Sequence, residues 1–245
     1  MKYNFLKEIT VLSMLIIVSI GWSKEEVTQD FGTSYSLDQS VSLGKDFEIA
    51  STQKLALLEN SSTVDKFYVN LEGSWEKAFF TLAIGGRWIL DVDNKVNDHK
   101  IRLNVDGVLA QKFGFFKGSF RTRYYTQAAV SEDESLFGEE AVQVWKNRIK
   151  VSMSLKDVTE NKVLSKFSPF VSLEIANRFE DEDLDLEFSE KDYETNLSSL
   201  TTSLGTKFKW NKHTSTAIEV EIEREWRDYL AATYTVIDFS QSFKF

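Results

Sequence analysis

Charged residues recur at every second position in three places. Glu219, Glu221, Glu223 and Glu225 form one set, Arg121 and Arg123 a second, and Lys146, Arg148 and Lys150 a third. Alternate side chains of a β-strand point to the same face, so each set makes a stripe of one sign. Carboxylates in such a stripe repel one another unless cations approach. Lys207, Lys209 and Lys244 supply cations from neighbouring segments, and Glu174 adds a carboxylate on the polar parity of its own segment. Two outcomes fit this pattern. The stripes can neutralise each other as a salt-bridged interior, because an unpaired charge in a narrow enclosure is costly. Alternatively, an acidic wall can face a basic wall across a constriction that selects small polar solutes.

Other chemistry finds little footing. The two histidines, His99 and His213, fall in separate joins and cannot share a site. Asp91, Asp93 and Asp98 lie near His99, which keeps an outer-face membrane enzyme (a lipid A-modifying, phospholipase or protease type) as the alternative function. No Ser-His or Asp-His spacing singles it out, however. Glycine-rich phosphate loops and metal-ligand clusters are absent, so no cofactor, no metal and no catalytic residue is expected. The run 180–194 carries nine acids with Lys191 as its only base. Such density could hold Ca²⁺ or Mg²⁺, but without a glycine-turned spacing a solvated loop is the expected reading.

The elements that must position these stripes are strands. In residues 46–58, Phe47, Ile49, Leu55 and Leu57 share one face. Phe67, Val69, Leu71 and Trp75 oppose Tyr68, Asn70, Glu72 and Ser74. The same alternation sets Leu82, Ile84 and Trp88 against Ala83, Arg87 and Asp91, and Ile101, Leu103 and Val105 against Arg102, Asn104 and Asp106. Further on, Phe120 and Tyr124 oppose the arginines, Trp145, Ile149 and Val151 the lysine stripe, and Val171, Leu173 and Ile175 oppose Ser172, Glu174 and Arg178. Leu204 and Phe208 oppose Ser203 and Lys207, and Ile218, Val220 and Ile222 oppose the glutamates. The only proline, Pro169, stands at a strand start, where its missing N–H does least harm.

The last segment alternates Ile237, Phe239, Phe243 and Phe245 against Asp238, Ser240, Ser242 and Lys244. An unpaired apolar edge recruits other chains, whereas a strand that closes a membrane barrel meets lipid on one face and its neighbour at the edge. Phe243 and Phe245 also resemble the terminal signal by which outer-membrane barrels reach their assembly machinery. The expected fold is therefore all-β, an antiparallel up-and-down transmembrane barrel of about ten strands over residues 46–245, with twelve as the alternative. An even count puts both chain ends on the periplasmic side. Residues 33–43 alternate weakly (Tyr35, Leu37, Val41, Leu43), so 24–45 is either an N-terminal extension or a further strand. Ten strands lie nearer the packed eight-stranded barrels than the open ones of ~16, which favours a filled lumen.

The start of the chain agrees. Lys2 and Lys7 precede an apolar run over 9–20, and Gly21-Trp22-Ser23 offers small residues for cleavage, so 1–23 reads as an export signal. That run is short of the ~20 residues needed to span a bilayer as a helix. With no cysteine, neither a lipid anchor at the signal junction nor a disulfide framework is possible. A mean hydropathy of −0.28 would suit a soluble protein, but barrels show lipid only alternate residues. The net charge of −9 and the lack of a basic surface argue against nucleic acid. Trp75, Trp88, Trp145, Trp210 and Trp226 all fall at strand ends on the apolar parity, as interfacial girdles require.

The stretches Arg121-Thr122-Arg123-Tyr124-Tyr125, Trp145-Lys146-Asn147-Arg148-Ile149-Lys150 and Phe167-Ser168-Pro169-Phe170-Val171-Ser172-Leu173-Glu174 carry a resemblance. With the aromatic terminus, they make residues 46–245 resemble a family of Gram-negative outer-membrane proteins known only as a domain of unknown function. The resemblance implies an outer-membrane barrel and brings no activity with it. The expected partners are membrane lipid and lipopolysaccharide, the barrel assembly machinery and small polar solutes, with the protein acting as a monomer. The expected role is a small structural barrel or restricted pore.

Overall fold

A computed structural model describes residues 28–58, 61, 63–92, 97–130, 141–180, 194–227 and 230–245. They form eleven strands: β1 Thr28–Ser42, β2 Phe47–Leu58, β3 Thr63–Lys77, β4 Phe80–Val92, β5 Asn97–Phe113, β6 Phe116–Ala129, β7 Val142–Met153, β8 Phe167–Glu180, β9 Glu194–Lys209, β10 Thr214–Arg227 and β11 Leu230–Lys244. Each pairs with its chain neighbour, and β1 pairs with β11 to close the barrel. Two three-residue 3-10 turns, Leu155–Asp157 and Leu164–Lys166, interrupt the join between β7 and β8.

The strand alternation read from the sequence holds along the barrel. Leu71, Ile84, Leu103, Val105, Ile149, Leu173, Leu204, Ile218 and Val220 are exposed on the outer surface. Asn70, Ala83, Asn104, Asp106, Ser172 and Ser203 are buried on the inner one. Three polar pairs on the outer face are satisfied locally. Trp145 Nε1 donates to Thr122 Oγ1 at 2.7 Å, Tyr124 Oη donates to Gln143 Oε1 at 2.6 Å, and Thr216 Oγ1 donates to Gln241 Oε1 at 2.5 Å. Such pairing removes the penalty that an open donor would carry against an apolar surrounding.

The stretch left open between extension and strand is β1, and it changes the closure. Thr33↔Ile237 through Ser40↔Lys244 run in parallel register, with the Tyr35 and Phe239 rings stacked at 5.5 Å. The count of eleven falls between ten and twelve, but it is odd, so the closing seam is parallel rather than antiparallel. An odd number of crossings also separates the two ends: Thr28 lies at one mouth and Phe245 at the other, where an even count would have put both together. Phe245 N donates to Ser40 O at 2.8 Å, so the final residue is tied to β1. The physical reason for the weak sequence signal is visible in β1 itself. Thr33 and Gln39 occupy outward positions among Phe31, Tyr35, Leu37 and Val41, breaking the apolar stripe.

Strands β2, β4, β6, β8 and β10 end at the Thr28 mouth. Tight turns at Ala78-Phe79 and Gly114-Phe115, the 3-10 segment and residues 210–213 lie at the Phe245 mouth. Gly114 takes a φ of 59°, which favours glycine at that turn. Trp75 and Trp210 mark the Phe245 mouth; Trp88, Trp145 and Trp226 mark the Thr28 mouth. Residues 1–23, read as an export signal, and the acidic run 181–193 lie outside the described residues.

Candidate functional site: a cross-braced lumen beneath an open cavity

The inward stripes meet at mid-height. Arg123 on β6 forms a bidentate pair with Asp106 on β5, with Nε at 2.6 Å from Oδ1 and the second contact from Nη2 to Oδ2. The same guanidinium reaches Glu72 on β3 at 3.6 Å. Arg121 on β6 binds Glu174 on β8 at 2.7 Å, and Lys146 on β7 shares that carboxylate at 3.3 Å. Arg148 on β7 spans to Glu219 on β10 at 3.1 Å and donates from Nε to Ser172 Oγ at 3.0 Å. Ser172 and Ser203 close the set through a 2.6 Å hydroxyl contact. At the seam, Lys54 on β2 binds Asp238 on β11 at 2.5 Å across β1.

Register explains why the acids are needed. Arg121 lies directly opposite Arg148, and Arg123 directly opposite Lys146. Like charges so placed repel, and each of the four cations has a carboxylate within ion-pair reach. Several of these pairs join strands that are not neighbours: β3 with β6, β6 with β8, β7 with β10, β2 with β11. A contact of that kind reaches over at least one intervening strand on the inner side of the wall and ties separate parts of it together.

Below the braces sits an aromatic floor. Phe170 is buried inside the barrel, with Lys150 Nζ 3.4 Å from its ring centroid. Its register partner is Gly205, where an added Cβ would come within 2.5 Å of Phe170 Cζ and 2.7 Å of Ile218 O. Glycine is required there because any side chain would take the ring's place.

Above the braces, toward the Thr28 mouth, a cavity of about 1410 Å³ occupies the bore. Its walls carry Lys54, Arg87, Lys100, Arg102, Glu221 and Glu223. A small void of about 120 Å³ among Lys146, Arg148, Glu174 and Glu223 penetrates the braced layer.

The residues singled out in the sequence fall into distinct places. Arg121, Arg123, Lys146, Arg148, Glu174 and Glu219 come together in the braces, and Lys150 caps the floor. Glu221 and Glu223 face the cavity and have no ion-pair partner among the described residues. Lys244 pairs instead with Glu48 near the Phe245 mouth at 2.5 Å. Lys209 is exposed at that mouth, and Lys207 is half-buried and makes no ion pair among the described residues. Phe243 lies on the outer face of β11, and Phe245 is exposed at its end. Sequence reasoning missed Asp106, Glu72, Lys54 and Asp238 as network members. All stand on inward parity, but they are isolated acids or bases on their strands rather than parts of a stripe.

The two histidines lie at opposite mouths. His99 belongs to β5 rather than a loop, on the outer face, stacked on Trp88 at 5.6 Å. His213 Nδ1 lies 2.9 Å from Lys244 O at the Phe245 mouth. Among the described residues no cluster of three or more His, Cys, Asp or Glu side chains could hold a metal ion.

No protein-family model matches the chain, and no curated protein matches it. Among solved structures, the chain is similar to a bacterial polysaccharide outer membrane secretin at 12% sequence identity and a TM-score of 0.49. The match covers 78% of this chain and 62% of that one, so the chain spans less than two thirds of the length of that structure.

Proposed function

We propose that the protein is an outer-membrane barrel whose lumen is closed at mid-height, serving as a structural barrel or tightly restricted pore. The observation that carries the closure is the set of ion pairs between non-adjacent strands, above all Arg148–Glu219 and Arg123–Glu72. These reach over intervening strands on the inner side of the wall, and Phe170 backs them on the Phe245 side. Membrane residence is supported by the apolar outer face, by its locally satisfied polar groups and by tryptophans gathered at both mouths. The resemblance to an uncharacterised outer-membrane family points the same way. A closed barrel leaves no free edge to recruit a second copy, which supports a monomer. Lipid and lipopolysaccharide are then its surroundings, and Phe243 and Phe245 its handle for the assembly machinery.

Conductance in planar bilayers tests the closure. Purified protein is expected to give no steady current at neutral pH, and steady open channels in the unmodified protein would overturn the reading. Phe170→Ala combined with Glu219→Gln, which removes the floor and one brace, is expected to open them. Assembly is tested separately by deleting Phe245. The folded, heat-modifiable form should vanish from the outer membrane, and its unchanged abundance would remove the terminal residue from the assembly role.

A further inference from the structure

We propose that Arg87 and Arg102 form an oxyanion-binding site in the wall of the upper cavity, taking a small solute through its carboxylate or phosphate group. The two residues are direct register partners on β4 and β5, and both line the cavity. Two guanidinium groups placed opposite each other repel, as the pairs in the braces would without their acids. Here neither arginine makes an ion pair among the described residues, although Asp91 and Glu72 lie near enough to act on them. Arg87 makes no ion pair among the described residues, and its Nε is buried without a hydrogen-bond partner. Arg102 gives Nε and Nη2 to a neutral acceptor, Gln127 Oε1, at 3.0 and 2.6 Å. Across the sheet the inward row reads Asn70, Arg87, Arg102, Gln127, with a neutral amide at each flank. The nearby acids are engaged elsewhere, Asp91 with Lys100 and Glu72 with Arg123.

The guanidinium groups are nonetheless held in place. Arg87 lies over the Tyr68 ring at 4.1 Å and Arg102 over the Tyr125 ring at 4.0 Å. Stacking on an aromatic face fixes the plane of the fork while leaving donors along its edge. Arg102 is further fixed by the Gln127 fork, and Tyr125 by packing against Val144 and Ala176. Two pre-oriented forks with no acid between them match the paired oxygens of a carboxylate or phosphate, which accept bidentate charge-assisted hydrogen bonds. Glu221 and Glu223 also line the cavity, so a bound solute's oxyanion is drawn to the arginine wall and away from β10. A solute that also carries a cationic group would find those carboxylates.

The site is tested on the folded full-length protein in detergent micelles, so its outcome does not depend on whether the lumen conducts. Inorganic phosphate and acetate are titrated calorimetrically, with chloride as the control, beside thermal unfolding followed by tryptophan fluorescence. Phosphate or acetate is expected to bind and to raise the unfolding midpoint, and which of the two binds tighter identifies the group. Arg87→Gln and Arg102→Gln should each weaken binding at least about tenfold, a change of about one decade in Kd. In anion-free buffer both variants should stay folded by heat-modifiability, so lost binding cannot be blamed on misfolding. Arg87→Lys keeps the charge but loses the fork and is expected to bind more weakly than the wild type. The proposal is overturned if neither oxyanion binds, if both glutamine variants bind as tightly as the wild type, or if chloride stabilises as much as phosphate.

Discussion

Away from its exposed rims, and among the described residues, the lumen contains two places where basic side chains stand directly opposite one another on adjacent strands, and they are resolved differently. On β6 and β7, Arg121 opposes Arg148 and Arg123 opposes Lys146, and Glu72, Asp106, Glu174 and Glu219 neutralise all four. On β4 and β5, Arg87 opposes Arg102, and tyrosine faces and a neutral amide hold them instead. The first arrangement is closed: each carboxylate is used, three of the five ion pairs join strands that are not neighbours, and removing one partner strands another. The second is open on its cavity side. Identical residue types at identical register therefore mean bracing in one layer and a receptive wall in the other. What separates them is whether a third strand sends in an acid.

The sharpest way to break this comparison is Asp106→Asn. Asp106 is almost fully buried, 3% exposed, and accepts from both Nε and Nη2 of Arg123. Leaving that guanidinium short of its main partner is expected to lower stability by roughly 3–5 kcal/mol, read from denaturant unfolding in lipid vesicles. A loss below about 1 kcal/mol would show that the brace is solvated rather than buried.

Gly205→Ala probes the floor that backs the braces. The added methyl has to displace Phe170 or the Ile218 carbonyl, and overpacking of that kind costs about 1–3 kcal/mol. If displacement of the ring also admits ions, single-channel currents should appear in Gly205→Ala while the parent stays silent. Unaltered stability would mean that Phe170 has somewhere else to go.

The open wall should respond more weakly, because two effects of opposite sign act there. Arg87→Gln loses a stacking contact but relieves repulsion from Arg102, so its stability without anion is expected to change by less than about 1 kcal/mol. A loss as large as that of Asp106→Asn would place Arg87 among the braces and erase the distinction.

Glu221→Gln is expected to have the smallest effect. The carboxylate lies between Glu219 and Glu223 on one face of β10 and forms no ion pair among the described residues, so the change should stay within about 1 kcal/mol. From the glutamate stripe alone, one would expect a large loss at Glu221, as at its neighbour Glu219. Equal losses at the two positions would show that Lys54, which already holds Asp238, serves Glu221 as well.

The sequence by itself determined which face of each strand looks inward, where the tryptophans sit along the strands and that the chain forms an all-β barrel. These are local properties: side-chain parity repeats every two residues and needs no knowledge of a neighbour. It therefore exposed the stripes on β6, β7 and β10, where charge recurs within one strand. Tertiary structure alone decided who meets whom. Glu219 finds Arg148 while Glu221 makes no ion pair among the described residues, although both belong to one stripe, because the partner comes from β7 and its reach depends on register across three strands. Asp106, a lone acid that follows Lys100, Arg102 and Asn104 on the inward row of β5, became the most deeply buried brace for the same reason. Tertiary structure also decided the parallel β1–β11 seam. Whether a strand's edge pairs with the far end of the chain is a relation between two edges, and the alternation of side chains above and below the sheet carries no record of it.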